Sequence, residues 1–330
     1  NPLDRTRTPG GSSSGSAAAV GAGHIPLATG TQTAGSINRP GSYCAVIAYK
    51  PTFASFPRDG VKILAHSLDT VGLFGRTIAD VRLAATVLAA AGAGTLGTDT
   101  PGAGALGAGA LGAGTPGAGT PGAGAGAGAG TDAPGAAPRL AFMRTPHWSR
   151  VEPAARAAIE DVARAAAEAG ARAEEIEPPA RFSDLVAAQT TIQWVESATN
   201  LAPELDASPE LLSDEVRAAL REGAEIPAER YADAQQVTAD VGPELARLLD
   251  GYDGVLTPSA GGVPPVGLYF TGDPLFCRVE TLIGAPAVSV PLAWTADGLP
   301  AGLQVIGAPG RDARTLRCAE WLLEFSATRP

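Results

Sequence analysis

Lysine is nearly missing from this chain of 330 residues. Lys50 and Lys62 are the only two, and the remaining basic residues are arginines scattered without a run. With a formal net charge of −10 the chain has no basic stripe to neutralise a phosphate backbone, so no nucleic-acid partner is expected. Cysteine is scarce as well. Cys44, Cys277 and Cys318 lie far apart with no CxxC, which excludes a disulfide framework and a cysteine zinc site of ordinary spacing. His24, His66 and His147 are isolated and form no HExxH, so neither a metal nor any other cofactor is expected. No apolar run reaches 18 residues and no signal-peptide pattern opens the chain; no membrane partner is expected, and the cytoplasm is the default location.

What is present suits a globular protein with a large core. Hydrophobic residues make up 45% and charged residues 18%, and the length fits one large domain or two ordinary ones. SAAAVGAGHIPLA (16–28) reads as a helix, and PLATGTQTAGS as a short strand followed by a Gly-rich loop. AVIAYKP (45–51) is a buried strand stopped by Pro51, HSLDTVGLFGRT (66–77) a strand and turn, and IADVRLAATVLAAAG (78–92) an amphipathic helix. From Thr100 the composition changes to TPGAG and ALGAG repeats that decay into GAGAGAG. Residues 93–138 read as a disordered surface insertion between two core parts, 1–92 and 139–330.

Order resumes with a strand, a helix and a strand between residues 139 and 179. Helical patterns fill most of 182–250, and a strand follows at 253–259. Paired strands at 284–294 and 301–307 flank the turn TADGLP, and 311–325 is a final amphipathic helix. Alternating buried strands and helices imply an α/β layered domain. Neither part has a complete set of layers, so the two are expected to share one sheet.

TPGGSSSGS (8–16) permits several readings. Gly and Ser favour a linker. Gly11-Ser12-Ser13-Ser14-Gly15 also matches the G-x-S-x-G elbow with Ser13 at its centre, but that turn needs a buried strand before it, and the residues ahead are the polar NPLDRTRTP. The loop runs straight into an Ala-rich helix, as a helix N-terminus does. A second Gly-rich loop, GTQTAGSINRP (30–40), places Ser36 24 residues after Ser12.

At this point the chain resembles the amidase signature family. Gly10 to Ser16, Gly30 to Ser36, Arg39-Pro40 and CAVIAYKP (44–51) follow that family's blocks in order, as do SLDTVGLFGRT (67–77) and TLIGAPAVSVP with GLPAGLQVIG. The resemblance spans nearly all of the chain outside the insertion. It implies a mixed sheet covered by helices on both faces. It also implies amide hydrolysis by a Ser, cis-Ser, Lys triad, in which Ser36 matches the nucleophile and Ser12 the cis-serine that relays its proton to a neutral lysine. The loop before Ser36 can aim the N–H groups of Thr33, Ala34, Gly35 and Ser36 at one spot, as an oxyanion hole requires. Arg39 reads either as a structural ion pair or as a fork for a substrate carboxylate. Members with Gln at the position of Gln32 and Arg at this spacing include enzymes of small carboxylate-bearing amides.

Around these residues, Ser13 and Ser14 read as turn supports, Lys50 as structural, Lys62 as solvated and Cys44 as a packing residue. Asp69 reads as an orienting or turn-capping group, and Thr257, Ser259 and Thr271-Gly272 as pocket lining.

The family's lysine stands upstream of the serine loop, whereas here eleven residues precede Ser12 and none is lysine. The resemblance therefore implies a C-terminal portion of an amidase with little turnover of its own. Three functions compete: hydrolysis of a small carboxamide, the A subunit of a glutamine-dependent tRNA amidotransferase, and a remnant without turnover. The Gln32 loop type and the missing basic surface point to the first. A small amide is then the expected partner, and the resemblance leaves room for a homodimer.

Overall fold

The computed structural model describes residues 1–91 and 136–327. The repeat segment read above as an insertion therefore lies, from 92 to 135, outside the described residues. In chain order the first part gives α1 (Ser14–Gly21), β1 (Leu27–Gln32), α2 (Asn38–Tyr43), β2 (Ile47–Lys50), β3 (Thr70–Gly75) and α3 (Ile78–Ala91). The second part opens with β4 (Arg139–Met143), α4 (Pro153–Glu168) and β5 (Arg172–Ile176). A helical stretch follows: α5 (Phe182–Asn200), α6 (Ala202–Ala207), α7 (Asp214–Ala224) and α8 (Ala228–Asp250). It closes with β6 (Gly254–Pro258), α9 (Arg278–Leu282), β7 (Ala287–Ser289), β8 (Leu303–Ile306) and α10 (Asp312–Ala327).

All eight strands join one sheet in the order β1-β3-β2-β7-β8-β6-β4-β5. β4 runs parallel to β5 and β6, and the remaining pairs are antiparallel, so the sheet is mixed. The seam between the two halves of the chain is β2 against β7, with Ala48 opposite Ser289 and Lys50 opposite Ala287.

Period-two alternation distributes the helices. Leu140 and Phe142 of β4, with Val288 and Val305, pack against residues of α3, α4 and α10. Ala141 and Met143, with Ala287 and Ile306, pack on the other face against α5, α8 and α9. Ala48 and Phe74, whose neighbours Tyr49 and Leu73 face the first layer, receive Ala17 of α1. Helices thus cover both faces, and strands buried on both sides read as near-continuous apolar runs. Burying each large side chain contributes about 2 kcal/mol. Asp312, fully buried at the start of α10, ties that helix to the sheet by accepting from Tyr49 OH (2.6 Å), Thr52 N (2.8 Å) and Thr52 Oγ1 (2.5 Å).

One helix is shorter than its composition implies. The Ala-rich run read as helical to residue 28 ends at Gly21, where Gly23 (φ 74°) turns the chain into β1. No helix among the described residues is long and apolar enough to cross a membrane.

Candidate active site

Two loops carry the serines singled out above, and both precede short helices on one face of the sheet. The first is Gly10–Ser13, ahead of α1. Its Gly11–Ser12 peptide is cis. Three of the four serine hydroxyls here are engaged. Ser14 Oγ donates to Gly10 O (2.6 Å), Ser13 Oγ lies between the N and O of Thr31 (3.3 and 3.4 Å), and Ser16 Oγ donates to Thr29 O (2.8 Å). No hydrogen bond among the described residues engages Ser12 Oγ, which is exposed. The elbow geometry is absent, because no strand precedes Ser13 and its hydroxyl is spent on β1. Gly11 must be glycine: a Cβ there would stand 2.7 Å from Thr271 Cγ2.

The second loop, Thr33–Ser36, links β1 to α2. Each of its four carbonyls has a donor within reach. Gln189 Nε2 donates to Thr33 O (2.9 Å), Arg39 N to Gly35 O (3.0 Å) and Ser13 N to Ser36 O (3.4 Å), while the single proton of Thr281 Oγ1 is shared between Ala34 O (3.0 Å) and Cys277 O (2.7 Å). In a trans peptide the C=O and the next N–H point in opposite directions. Pinning the carbonyls of Thr33, Ala34 and Gly35 therefore turns the N–H groups of Ala34, Gly35 and Ser36 the other way. No acceptor among the described residues engages the N–H of Thr33, Ala34, Gly35 or Ser36, and Ser36 Oγ also has no partner there. The bond from Ser13 N to Ser36 O ties the two serine loops together.

The supports of this loop are buried. Gln32 Oε1 accepts from Ile37 N (2.8 Å) and Asn38 N (3.0 Å), and its Nε2 donates to Thr281 Oγ1 (2.9 Å). Asp69 accepts from Thr33 Oγ1 (2.5 Å) and from the N–H groups of Leu64 (2.6 Å) and Ala65 (3.2 Å), so it orients the loop and caps a turn at once. Burial pushes its carboxyl above the usual range, opposed by those hydrogen bonds. Gly35 is wedged against Pro274 and Cys277, each of whose Cβ atoms would stand 3.1 Å from an added Cβ.

Arg39 is buried. Its Nη2 donates to Gly11 O (2.7 Å) and Thr271 Oγ1 (3.3 Å), so it braces the peptide before Ser12, while Nε and Nη1 have neither solvent nor a partner. Burial lowers its pKa. Among the described residues no carboxylate pairs with it within 4.0 Å.

The lysines stand elsewhere. Lys50 is fully buried, and its Nζ donates to Pro51 O (3.0 Å) and to Ala285 O. Burial lowers its pKa to about 8 against the pull of Glu280 and Asp312. Lys62 is exposed and pairs with Glu204. Neither amine hydrogen-bonds a site serine. Thr271 reaches the site through Arg39 and Gly11. Ser259 instead bonds Ser42 Oγ (2.5 Å) behind α2, and Thr257 lines a small internal cavity with Glu280. Among the described residues no group of three or more His, Cys, Asp or Glu could hold a metal ion.

Gln189 and Thr281 were not visible in the sequence as site residues. They sit on α5 and α9, more than 150 residues beyond the loop they support, and no motif or spacing announces them.

All three cysteines are buried thiols. Burial raises the pKa of Cys44 to about 12 and pushes Cys277 and Cys318 up as well. The thiolate is the reactive form, and burial keeps it scarce at pH 8. A thiol reagent at pH 8 is expected to label none of the three in minutes, and all three after denaturation; rapid labelling of the native protein contradicts this burial.

With the geometry in hand, comparison with known proteins is informative. A family model described as Amidase matches residues 1–101 and 134–316. The A subunit of glutamyl-tRNA(Gln) amidotransferase from Symbiobacterium thermophilum is 32% identical, over 97% of this chain and 67% of that protein. A crystal structure of an amidase matches with a TM-score of 0.78 at 25% identity, covering 98% of this chain and 68% of its own. The crystal structure of the corresponding A subunit from Thermotoga maritima gives a TM-score of 0.70 at 25% identity, covering 97% and 66%.

These relatives correct one expectation. Composition pointed away from nucleic acid and the family resemblance to a small amide, yet two similar proteins are named as subunits of an amidotransferase for a tRNA. Net charge bears on phosphate contacts made by a chain's own surface. It does not bear on RNA held elsewhere in an assembly, so the exclusion does not stand. Matched by the family model on both sides of its repeat segment and by a relative at 32% identity, the chain belongs to the amidase family.

Proposed function

We propose that the chain cleaves the C–N bond of a small carboxamide, giving a carboxylate and ammonia, with Ser36 as the nucleophile. The observation that carries this reading is the Thr33–Ser36 loop, whose carbonyls each have a donor within reach while its N–H groups stay free beside an unbonded serine hydroxyl. Ser36 Oγ attacks the amide carbon and its proton passes to Ser12 Oγ, whose own proton moves on to a base. The carbonyl oxygen, now negative, is held by free N–H groups of the Thr33–Ser36 loop, those of Ala34, Gly35 and Ser36 pointing away from the held carbonyls, each such donor contributing about 3 to 4 kcal/mol. Collapse breaks the C–N bond, the departing nitrogen takes the relayed proton, and water hydrolyses the Ser36 ester. The base is neither Lys50, closed in by two carbonyls, nor Lys62, paired with Glu204. Arg39 places a fixed positive charge beside Ser12, which favours a substrate that carries a carboxylate.

A second reading, the A subunit of a glutamine-dependent tRNA amidotransferase, is favoured by the names of the relatives. Glutamine is itself a carboxamide with a carboxylate, so the chemistry at Ser36 is shared and only the destination of the ammonia differs. The test is ammonia release by the intact protein, alone and with whatever subunits co-purify. Free turnover of small amides by the protein alone supports hydrolysis; glutamine turnover that requires co-purified subunits supports the second reading. In either case Ser12→Ala is expected to lower kcat about 100-fold with little change in KM, as loss of a proton relay does. An unchanged kcat removes Ser12 from the mechanism.

A further inference from the structure

A cavity of about 420 Å³ opens between α5, α8 and the chain from Phe53 to Ser67. Its size suits a small organic ligand. Ile192 and Glu196 of its wall lie on α5 in the turns after Gln189, and Leu282 directly follows Thr281 on α9. Gln189 and Thr281 donate to Thr33 O and Ala34 O. The cavity therefore stands on the carbonyl side of the Thr33–Ser36 loop, away from the N–H groups of Ala34, Gly35 and Ser36. It is a place apart from the one that holds the amide.

Two opposite charges line it, and neither forms an ion pair with any described residue within 4.0 Å. Arg58 Nη1 donates to His66 O (2.8 Å) and Asp69 O (3.1 Å), and the guanidinium lies over the Phe53 ring, 4.9 Å from its centroid. Its Nε and Nη2 have no acceptor among the described residues, and they are not among the polar atoms closed off from solvent. Glu196 accepts from Ser67 N (3.0 Å) at Oε2, and from Ser67 Oγ and Tyr231 OH (2.9 Å) at Oε1. Oε2 thus keeps a lone pair for one more donor.

A single peptide sets the spacing of the two charges. Arg58 takes the carbonyl and Glu196 the N–H of the His66–Ser67 peptide, which is trans. The two groups point in opposite directions, so Nη1 and Oε2 stand roughly 7 to 8 Å apart, too far to pair with each other. The ammonium and carboxylate of an α-amino acid lie about 3 Å apart, and a contact of about 2.8 Å at each end lets them bridge a gap of that size. Phe53, Ile192, Val195 and Leu282 supply an apolar wall between the poles. We propose that the cavity binds a free α-amino acid with an apolar side chain of about leucine's size. Its carboxylate meets the free Nε and Nη2 edge of Arg58, its ammonium meets Glu196 Oε2, and its side chain lies against Ile192, Val195 and Leu282. A carboxylic acid or an amine alone would leave one of the two charges facing the cavity without a partner.

The test is calorimetric binding of leucine, 4-methylpentanoate (leucine without its ammonium) and 3-methylbutylamine (leucine without its carboxylate) to the intact protein. Leucine is expected to bind about tenfold or more tightly than either fragment. Arg58→Ala is expected to weaken leucine and 4-methylpentanoate about tenfold and to leave 3-methylbutylamine within about twofold. Glu196→Gln is expected to do the reverse, weakening leucine and 3-methylbutylamine while keeping an acceptor for Ser67 and Tyr231. No binding of leucine at millimolar concentration overturns the proposal, and so does equal binding of leucine and either fragment. Should Arg58→Ala lose its fold, Glu196→Gln decides alone, and unchanged leucine affinity in that variant overturns the proposal.

Ser36→Ala separates this site from the amide site. Leucine affinity is expected to be the same in that variant as in the parent, because the cavity lies behind the loop. A change of about tenfold would put the amino acid at the Ser36 hydroxyl instead and overturn the separate site. None of these readouts requires turnover, so they stand whether or not Ser36 is the nucleophile.

Discussion

Ser36→Ala is expected to reduce amide turnover by the intact protein roughly 10⁴-fold or more while leaving its stability within about 0.5 kcal/mol of the parent. The two halves of this expectation come from the same observation. Ser36 Oγ makes no hydrogen bond among the described residues and the side chain is only partly buried, so its removal leaves no partner orphaned and only a small void. What holds Ser36 itself in place is backbone: Ser36 O accepts from Ser13 N, and Gly35 O from Arg39 N, contacts that alanine preserves. The loss therefore falls on kcat, with substrate binding retained, and the variant provides a protein in which binding is measured without turnover. Equal activity of Ser36→Ala and the parent moves the nucleophile elsewhere. A large drop in stability would instead mean that the hydroxyl has a structural partner.

The larger elements were legible because each buries a face with a clear period. The helix over 78–92 and the helix of the unit from Arg139 to Ile176 follow from the period of their apolar positions, and β4 from its continuous apolar run. That the two halves share one sheet was also legible, since neither has enough strands to close its own layers; β2 against β7 is where they meet. The two short helices were not. NRPGSY carries both Pro and Gly and has no apolar period, and it forms because Gln32 supplies the acceptor for its first turn. Arg278–Leu282 is one turn long, with every residue but the first buried. The serine loops announced themselves as contiguous motifs. Gln189 and Thr281 could not, because their role is to meet the Thr33–Ser36 loop far away in the chain, and only the contacts of α5 and α9 with that loop reveal it. Arg39 shows both limits at once. Its charge was legible, but the atom it braces, Gly11 O, was not.

Gln32→Ala is expected to cost about 3 to 5 kcal/mol, a third or more of the stability of a typical domain. The side chain is fully buried and uses three hydrogen-bonding positions, accepting twice at Oε1 and donating once from Nε2. Truncation strands the N–H groups of Ile37 and Asn38 in a place water does not reach, at about 1 to 3 kcal/mol each, and adds the cost of a void. Gln32→Met fills the volume without the acceptor, so the difference between the two variants in urea unfolding separates void from hydrogen bonds. A cost under 1 kcal/mol for Gln32→Ala would show that the first turn of α2 finds other acceptors. Activity is expected to suffer beyond the unfolded fraction, by about tenfold in kcat, because the freed N–H groups directly follow Ser36 and Thr281 loses the donor that fixes its hydroxyl against Ala34 O. A folded Gln32→Met protein with full activity would mean that the Thr33–Ser36 loop is held by Gln189, Asp69 and Thr281 alone. If kcat falls instead, Gln32 positions the nucleophile from beneath, and its side-chain amide belongs to the catalytic loop as much as the backbone it supports.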